Sequence, residues 1–272
     1  MTTPFCPGYA AEPYASLVRD YPGDPTYPTP DFRTEWGPVF HRGRVDGTAR
    51  MLAIGQDPAQ HEVVARRILV GTAGKRVQGF MAKLGLTQSY IVINTFLFSV
   101  YGQSGGAAHI GDAAITAYRN RWIKALLDTN PIETVVAFGG LADQAWTAWL
   151  NSPAAQGRPA LPFQHVPHPT SPISGGKGDK TKTATLTKQM LVAWNVAIVA
   201  LKPSVVHRDG AFGAPYGTSF SPSELPDIPM ADLPAGTPPW MATEDGWARR
   251  DGKTAASKRR TIQVVVPKSV AL

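Results

Sequence analysis

The sequence predicts an α/β fold, a three-layer sandwich around a central four-stranded parallel sheet. Four short β-rich runs occupy residues 51–54, 90–95, 134–138 and 163–166. A segment with helical spacing of apolar residues, or a glycine-rich turn leading into one, follows each run. Strands that alternate with helices form a parallel sheet with right-handed crossovers. Residues 49–202 are therefore expected to form this α/β domain.

Composition limits the class of protein. The chain has 272 residues, 43% of them hydrophobic, which is enough for a substantial core. A net charge of +7 suits a polyanionic partner, although many basic proteins bind no nucleic acid. The single cysteine, Cys6, excludes intramolecular disulfides, a cysteine-ligated iron–sulfur cluster and a cysteine-based zinc site. Residues 1–20 do not read as a signal peptide, and no apolar run approaches membrane-spanning length, so we expect a cytoplasmic protein.

Two segments of different composition flank the α/β domain. Residues 1–48 are rich in proline, glycine and tyrosine, so they are expected to wrap the core, with one short helix at 14–19. Residues 203–272 form a Pro/Gly-rich extension, packed on the domain or trailing from it, with residues 261–266 as a late edge strand. Basic clusters at 249–250 and 258–260 have the charge to reach a polyanion, although such clusters are more commonly solvated tails.

The elements between the strands are predicted in chain order. Residues 60–69 form a helix or an ordered loop, and a turn containing Gly71 and Gly74 opens a helix over 75–84. Free backbone N–H groups at that turn are a suitable seat for a phosphate. A glycine-rich loop is expected at 102–106, helices at 112–127 and 141–150, a loop at 173–182 and a helix at 184–201.

Three polar side chains fall at the carboxyl ends of three predicted strands. Asp57, Asn94 and His168 place a carboxylate, an amide and an imidazole on one rim of the sheet. That edge is where ligands bind in open α/β sheets. Each residue alone also fits a turn or loop role. Their coincidence on one rim favours a functional site.

Four motifs in this order resemble those of uracil-DNA glycosylases. Residues 55–58 (Gly-Gln-Asp-Pro) resemble the first motif, and residues 93–97 (Ile-Asn-Thr-Phe-Leu) the strand with the uracil-reading asparagine. Residues 168–172 (His-Pro-Thr-Ser-Pro) resemble the second motif with one extra residue. Residues 69–74 (Leu-Val-Gly-Thr-Ala-Gly) are similar to a segment of the thermophilic branch of the superfamily. Order and spacing agree over about residues 50–202, and the two end segments are not covered.

The resemblance implies a role for each matched residue. Asp57 would position the attacking water, His168 would donate to uracil O2, and Asn94 would read the uracil edge. Base flipping would bring the uracil into the pocket. The implied lining of the pocket is Gly55, Gln56, Ala59, Leu69 and Phe96. The implied DNA contacts are Gly71, Gly74, Ser171, Pro172, Ile173 and Lys177, with Ile173 as the wedge that enters the gap.

The chain departs from the family pattern in three places. Ala59 stands where the classical branch has a tyrosine that blocks the thymine methyl group, and Leu69 stands where the thermophilic branch has a stacking phenylalanine. Stacking would then come from Phe96 or Phe98. The inserted Thr170 changes the second motif.

The predicted function is excision of uracil from DNA by a monofunctional glycosylase that acts as a monomer, without membrane, metal or iron–sulfur cluster. One alternative is a glycosylase of wider range that removes mismatched or other deaminated bases. Another is a non-catalytic binder of damaged or single-stranded DNA, against which Asp57 and His168 both argue. An unrelated α/β hydrolase with a basic surface is a third alternative, which the absence of a Walker motif disfavours.

Overall fold

A computed structural model describes residues 9–268 and 270. The strands are β1 (Arg42–Gly43), β2 (Met51–Gly55), β3 (Tyr90–Asn94), β4 (Thr134–Phe138), β5 (Phe163–Val166), β6 (Ala248–Asp251) and β7 (Thr261–Val264). The helices are α1 (Tyr14–Arg19), α2 (Gln60–Ala65), α3 (Gly71–Lys83), α4 (Gly102–His109), α5 (Ala113–Thr129), α6 (Gly140–Leu150), α7 (Ser171–Gly176), α8 (Lys180–Leu201), α9 (Trp240–Thr243) and α10 (Ala255–Arg260).

The central sheet has the order β1-β3-β2-β4-β5. The four predicted strands, β2 to β5, are parallel to one another. The fifth strand, β1, pairs antiparallel with β3 through Arg42 opposite Val92, and the sequence prediction missed it. Two residues are too few to show the period of a strand. The predicted α/β class is confirmed, with a five-stranded mixed sheet in place of four parallel strands.

Both faces of the sheet are covered, which makes the fold a three-layer sandwich. Along β2, Leu52 and Ile54 pack into one apolar cluster with residues of α5 and α6. Met51 and Ala53 point to the opposite face and pack with residues of α3 and α8. Strands buried on both faces read as continuous apolar runs, which is why β2 to β4 were visible in the sequence.

Helix α8 and the turn after it, Lys180–Ser204, are long and apolar enough to cross a membrane by length and composition, since an 18-residue window within them has a mean hydropathy of 1.4. The expectation that no apolar run reaches such a length is therefore wrong for this segment. The helix buries Met190, Leu191 and Trp194 in the cluster beneath the sheet. A core helix of a sandwich passes the same test of length and composition.

The expected glycine-rich loop at 102–106 is instead the start of α4. Gly102 begins the helix with φ +81°, a conformation that favours glycine. A Cβ on Gly106 would lie 3.1 Å from Leu141 Cδ1 and 3.3 Å from Phe96 Cε2, so this glycine allows close packing. Part of the loop expected at 173–182 is likewise helical, because α7 spans Ser171–Gly176.

The C-terminal residues pack against the sandwich. The buried carboxylate of Asp232 forms an ion pair with Arg42 of β1 at 3.0 Å and accepts a hydrogen bond from Tyr90 at 2.5 Å. Trp247, Leu233 and Ile228 form a third apolar cluster with residues of α2. The strand expected at 261–266 is β7, but it pairs with β6 in a separate two-stranded sheet instead of extending the central one.

Candidate active site

A cleft of about 760 Å³ opens at the carboxyl ends of the parallel strands. Asp57 lies two residues beyond β2, Asn94 ends β3, and His168 lies two residues beyond β5. All three line the cleft. The structure therefore brings together the three polar side chains that the sequence placed on one rim.

Asp57 is held in a fixed orientation at the floor of the cleft. Its Oδ2 accepts a hydrogen bond from the Val100 backbone N–H at 2.9 Å, and the Gln56 side chain donates a second one. Burial raises the pKa of Asp57 to about 6, against the opposing effect of these hydrogen bonds and of the Arg33 charge. A carboxylate with a pKa close to neutrality is suited to accept a proton from water.

Asn94 approaches the backbone so closely that only glycine fits beneath it. A Cβ on Gly55 would lie 2.3 Å from Asn94 Oδ1, well inside contact distance. Asn94 is 9% exposed, and its side-chain Nδ2 has no hydrogen-bond partner among the described residues. A buried amide donor without an acceptor is costly, so this amide has the capacity to bind a ligand oxygen.

His168 is arranged as a neutral hydrogen-bond donor. Its Nδ1 accepts from the Thr170 backbone N–H at 3.3 Å and lies 3.0 Å from the Thr170 hydroxyl oxygen. A ring whose Nδ1 accepts carries its proton on Nε2 in the neutral form. Burial lowers the pKa of His168 to about 4, which keeps the ring neutral at pH 7. The inserted Thr170 thus supports the histidine instead of distorting the motif.

The pocket residues Gln56, Ala59 and Leu69 also line the cleft. Leu69 is held in a left-handed conformation, with φ +52°, which is unusual for a residue with a Cβ. The Glu62 carboxylate fixes this turn, because it accepts from the backbone N–H groups of both Ala59 and Leu69. Burial raises the pKa of Glu62 to about 8, against the effect of these two donors.

Several predicted site residues do not reach the cleft. Phe96 is fully buried in the core against Phe32, with ring centroids 5.5 Å apart, and Phe98 packs on Tyr27. The expectation that either ring stacks on a base in the cleft is wrong in this structure, because both are needed to fill the layer above the sheet.

Three of the predicted DNA contacts are also buried. Gly71 and Gly74 are buried, and a Cβ on Gly74 would lie 1.7 Å from the Leu69 carbonyl oxygen. The sequence-based prediction placed a phosphate-binding site at this turn, but Leu69 and Ile228 pack over it, so the glycine serves close packing. Pro172 is buried within α7 as well.

The remaining predicted DNA contacts lie on the surface near the rim. Ser171 lines the cleft, and Ile173 and Lys177 are exposed on the same short segment, with Ile173 48% exposed. An apolar side chain this exposed beside a cleft has the position of a wedge.

The segments outside the α/β domain supply cleft residues that sequence reasoning did not identify. Arg33 is buried, donates to the Val100 carbonyl at 2.5 Å and thereby fixes the residue that orients Asp57. Trp36 and, from β6, Arg250 also line the cleft. Arg33 and Trp36 carried no local signal of a site, whereas Arg250 belongs to the basic cluster at 249–250, whose charge was visible in the sequence but whose place at the cleft was not.

Comparison with known families agrees with the fold. The carboxylate, the amide and the neutral imidazole lie at the carboxyl rim of the sheet, where ligands bind in open α/β folds. The family model described as Uracil DNA glycosylase superfamily matches residues 42–204, which is more than half of the chain. The chain belongs to this superfamily, and its function is of the DNA glycosylase type, a hydrolase of base excision repair. The comparison with curated proteins gives no match.

Among residues 9–268, no group of three or more His, Cys, Asp or Glu is arranged to hold a metal ion.

Proposed function

We propose that this protein removes uracil from DNA by hydrolysis of the N-glycosidic bond of a flipped nucleotide, which leaves an abasic site. The observation that carries the proposal is the joint lining of one cleft by Asp57, Asn94 and His168. Membership in the superfamily supports a DNA glycosylase, and the identity of the base rests on these three side chains.

In the proposed reaction, the bond between the sugar C1′ and the base N1 breaks while water attacks C1′. Asp57 orients the water and accepts its proton, and the negative carboxylate stabilises the oxocarbenium character of the sugar. The base leaves as an anion and takes up a proton from solvent. The raised pKa of Asp57, about 6, supports the transfer, because the carboxylate is basic yet still ionised at pH 7.

His168 stabilises the leaving base. The neutral ring donates from Nε2 to uracil O2, where negative charge grows as the bond breaks. A neutral donor is favoured because the pKa of His168 is about 4 and Thr170 occupies its Nδ1. Removing a prepositioned donor of this kind typically costs roughly 3–4 kcal/mol in the transition state. The substitution His168→Leu is thus expected to lower kcat by about 10²- to 10³-fold.

Asn94 selects the base. Its amide oxygen accepts from uracil N3–H and its amide nitrogen donates to O4, whereas cytosine presents the opposite pattern at both positions. The unpartnered Nδ2 supports this role, since uracil O4 would supply the missing acceptor. The tight contact with Gly55 restricts how far the amide can move.

A wider substrate range is a second candidate, and the observation that favours it is Ala59 on the cleft wall. A methyl side chain leaves room beside C5 of the base, where a tyrosine would exclude a substituent. We expect the native protein to accept 5-substituted uracils and Ala59→Tyr to discriminate against them. The measurement is the ratio of kcat/KM for uracil and 5-substituted uracil opposite guanine. An unchanged ratio in the variant would show that Ala59 does not set the range.

The test of the function uses a labelled oligonucleotide with one uracil. After incubation and treatment with alkali, the native protein should produce alkali-dependent cleavage at the uracil, and Asp57→Asn should produce almost none. Binding of the oligonucleotide without cleavage would contradict the proposal and favour a non-catalytic DNA-binding protein.

A further inference from the structure

The C-terminal residues form a compact basic unit, the C-terminal hairpin, made of β6, α10 and β7 (residues 248–264). Two contacts fix it beside the cleft. The Ala248 backbone N–H donates to His61 Nε2 at 3.2 Å, and the Arg260 carbonyl accepts from Trp36 Nε1 at 3.0 Å. Trp247, which precedes β6, is buried. The hairpin is therefore held in place, in contrast to the solvated tail that basic clusters usually form.

The hairpin carries arginine and lysine onto the rim of the cleft. Arg250 lines the cleft that contains Asp57 and also lines a neighbouring hollow of about 730 Å³. Arg249 and Lys258 line the same hollow, and Gln60 belongs to both depressions. A basic path therefore leads from the catalytic cleft onto the face of the hairpin.

The positive charges on this path are not neutralised by the protein. Among the described residues, no carboxylate oxygen lies within 4.0 Å of the side-chain nitrogens of Arg249, Arg250 or Lys258. Asp245 is the acidic residue in the hollow, against three basic ones. Burial and then the like charge of Arg250 lower the pKa of Arg33, so these two guanidinium groups are close enough at the rim to act on each other.

We propose that the C-terminal hairpin binds backbone phosphates of the DNA strand next to the nucleotide held in the cleft, with Arg249 and Arg250 as the principal contacts. The inference rests on the proposed function, because it takes the cleft as the seat of the flipped nucleotide. A strand carries one charge per 3.4 Å of helix axis, so a basic path that starts at the rim meets consecutive phosphates. Guanidinium groups suit phosphates because they donate two parallel hydrogen bonds. The family model ends at residue 204, so the C-terminal hairpin lies outside the part of the chain that matches the family.

The test measures the salt dependence of binding to a uracil-containing duplex, with Asp57→Asn in every protein to prevent turnover. Loss of two phosphate contacts in Arg249→Gln/Arg250→Gln should reduce the slope of log K against log[salt] by about 1.8, or about 0.9 per contact. Between 50 and 200 mM salt, the affinity of the parent should therefore fall roughly tenfold more than that of the variant. Arg249→Lys/Arg250→Lys keeps the charges and should keep the slope.

The matched control is Lys124→Gln/Arg208→Gln, which removes the same charge from the opposite edge of the sheet. Lys124 is near the end of α5, and Arg208 packs on Phe212 next to the residue that caps the start of β3. This control should retain the parent slope. An unchanged slope in Arg249→Gln/Arg250→Gln, or an equal reduction in the control, would overturn the proposal.

Excision of uracil by the protein with Asp57 intact, measured in parallel, separates the two proposals. Excision together with an unchanged slope in Arg249→Gln/Arg250→Gln contradicts the hairpin proposal alone. A reduced slope without excision of uracil supports the hairpin as a DNA contact and contradicts the proposed function.

Discussion

Replacing Asp57 with asparagine should stabilise the protein while it removes the proposed activity. The side chain keeps its size and an oxygen that accepts from the Val100 N–H, but it loses the buried charge. The folded-state pKa of about 6 lies above the ordinary 3.8, so the native protein holds this proton more tightly than the unfolded chain does. The cost of the ionised carboxylate is therefore absent below pH 4, grows between pH 4 and pH 6, and is fully present at pH 7.

The size of the effect follows from that difference. At 1.36 kcal/mol for each pH unit, the rise from 3.8 to about 6 corresponds to roughly 3 kcal/mol. Part of the carboxylate is open to the cleft, so we expect about 2–3 kcal/mol in the free energy of unfolding. For a chain of this length, that is a rise in Tm of roughly 5–10 °C.

Urea and thermal unfolding at pH 7 and pH 4 provide the assay. Asp57→Asn should be more stable than the native protein at pH 7, and the difference should disappear at pH 4. The matched control is Asp227→Asn, which removes an exposed carboxylate and should change the free energy of unfolding by less than about 0.5 kcal/mol. Equal or lower stability of Asp57→Asn at pH 7 would refute the reasoning that burial of this charge destabilises the fold.

Three further predictions address the geometry of the cleft. Between pH 5 and pH 7 the excision rate should follow the ionisation of Asp57, halving near pH 6 and falling about tenfold per unit below it, because the pKa of His168 is about 4 and that of Glu62 is about 8. A rate independent of pH from 5 to 7 would argue against Asp57 as the base. Gly55→Ala would place a Cβ 2.3 Å from Asn94 Oδ1, so it should lower kcat/KM for uracil by at least about tenfold, whereas Gly111→Ala, which meets nothing within 4 Å, should not. Thr170→Val removes the hydroxyl that lies beside His168 Nδ1 but keeps the backbone N–H, so kcat should fall roughly 3- to 10-fold with KM unchanged. A change in KM alone would argue against a role for the Thr170 hydroxyl in orienting His168.

Strands β2 to β4 of the central sheet were predictable because they are buried on both faces. β2 and β4 are short apolar runs that end at glycine, a local signal that needs no knowledge of tertiary contacts. The two-residue strand β1 and the pairing of β7 with β6 were not predictable, because both depend on partners distant in the chain. Composition around 102–106 indicated a loop, but tight packing of Gly105 and Gly106 makes those residues helical.

The residues of the candidate site were likewise predictable only in part. Asp57, Asn94 and His168 were predictable because each directly follows a strand, and parallel strands bring their carboxyl ends to one edge. Phe96 was misassigned because sequence does not distinguish an aromatic ring that fills the core from one that lines a pocket. The positioning carboxylate of Glu62 was missed because Ala59, three residues before it, lacks the side-chain oxygen that marks a capping box in a sequence. Arg33 and Arg250 reach the cleft only through the folded path of the end segments.

The most direct test of the central claim is single-turnover release of free uracil from an oligonucleotide with one uracil. The native protein should release one equivalent of uracil and leave an alkali-labile site. Asp57→Asn should bind the same oligonucleotide yet release uracil at least about 10²-fold more slowly, the usual contribution of a positioned base. Absence of uracil release by the native protein, or an equal rate for Asp57→Asn, would contradict the assignment of Asp57 and of the cleft to uracil excision.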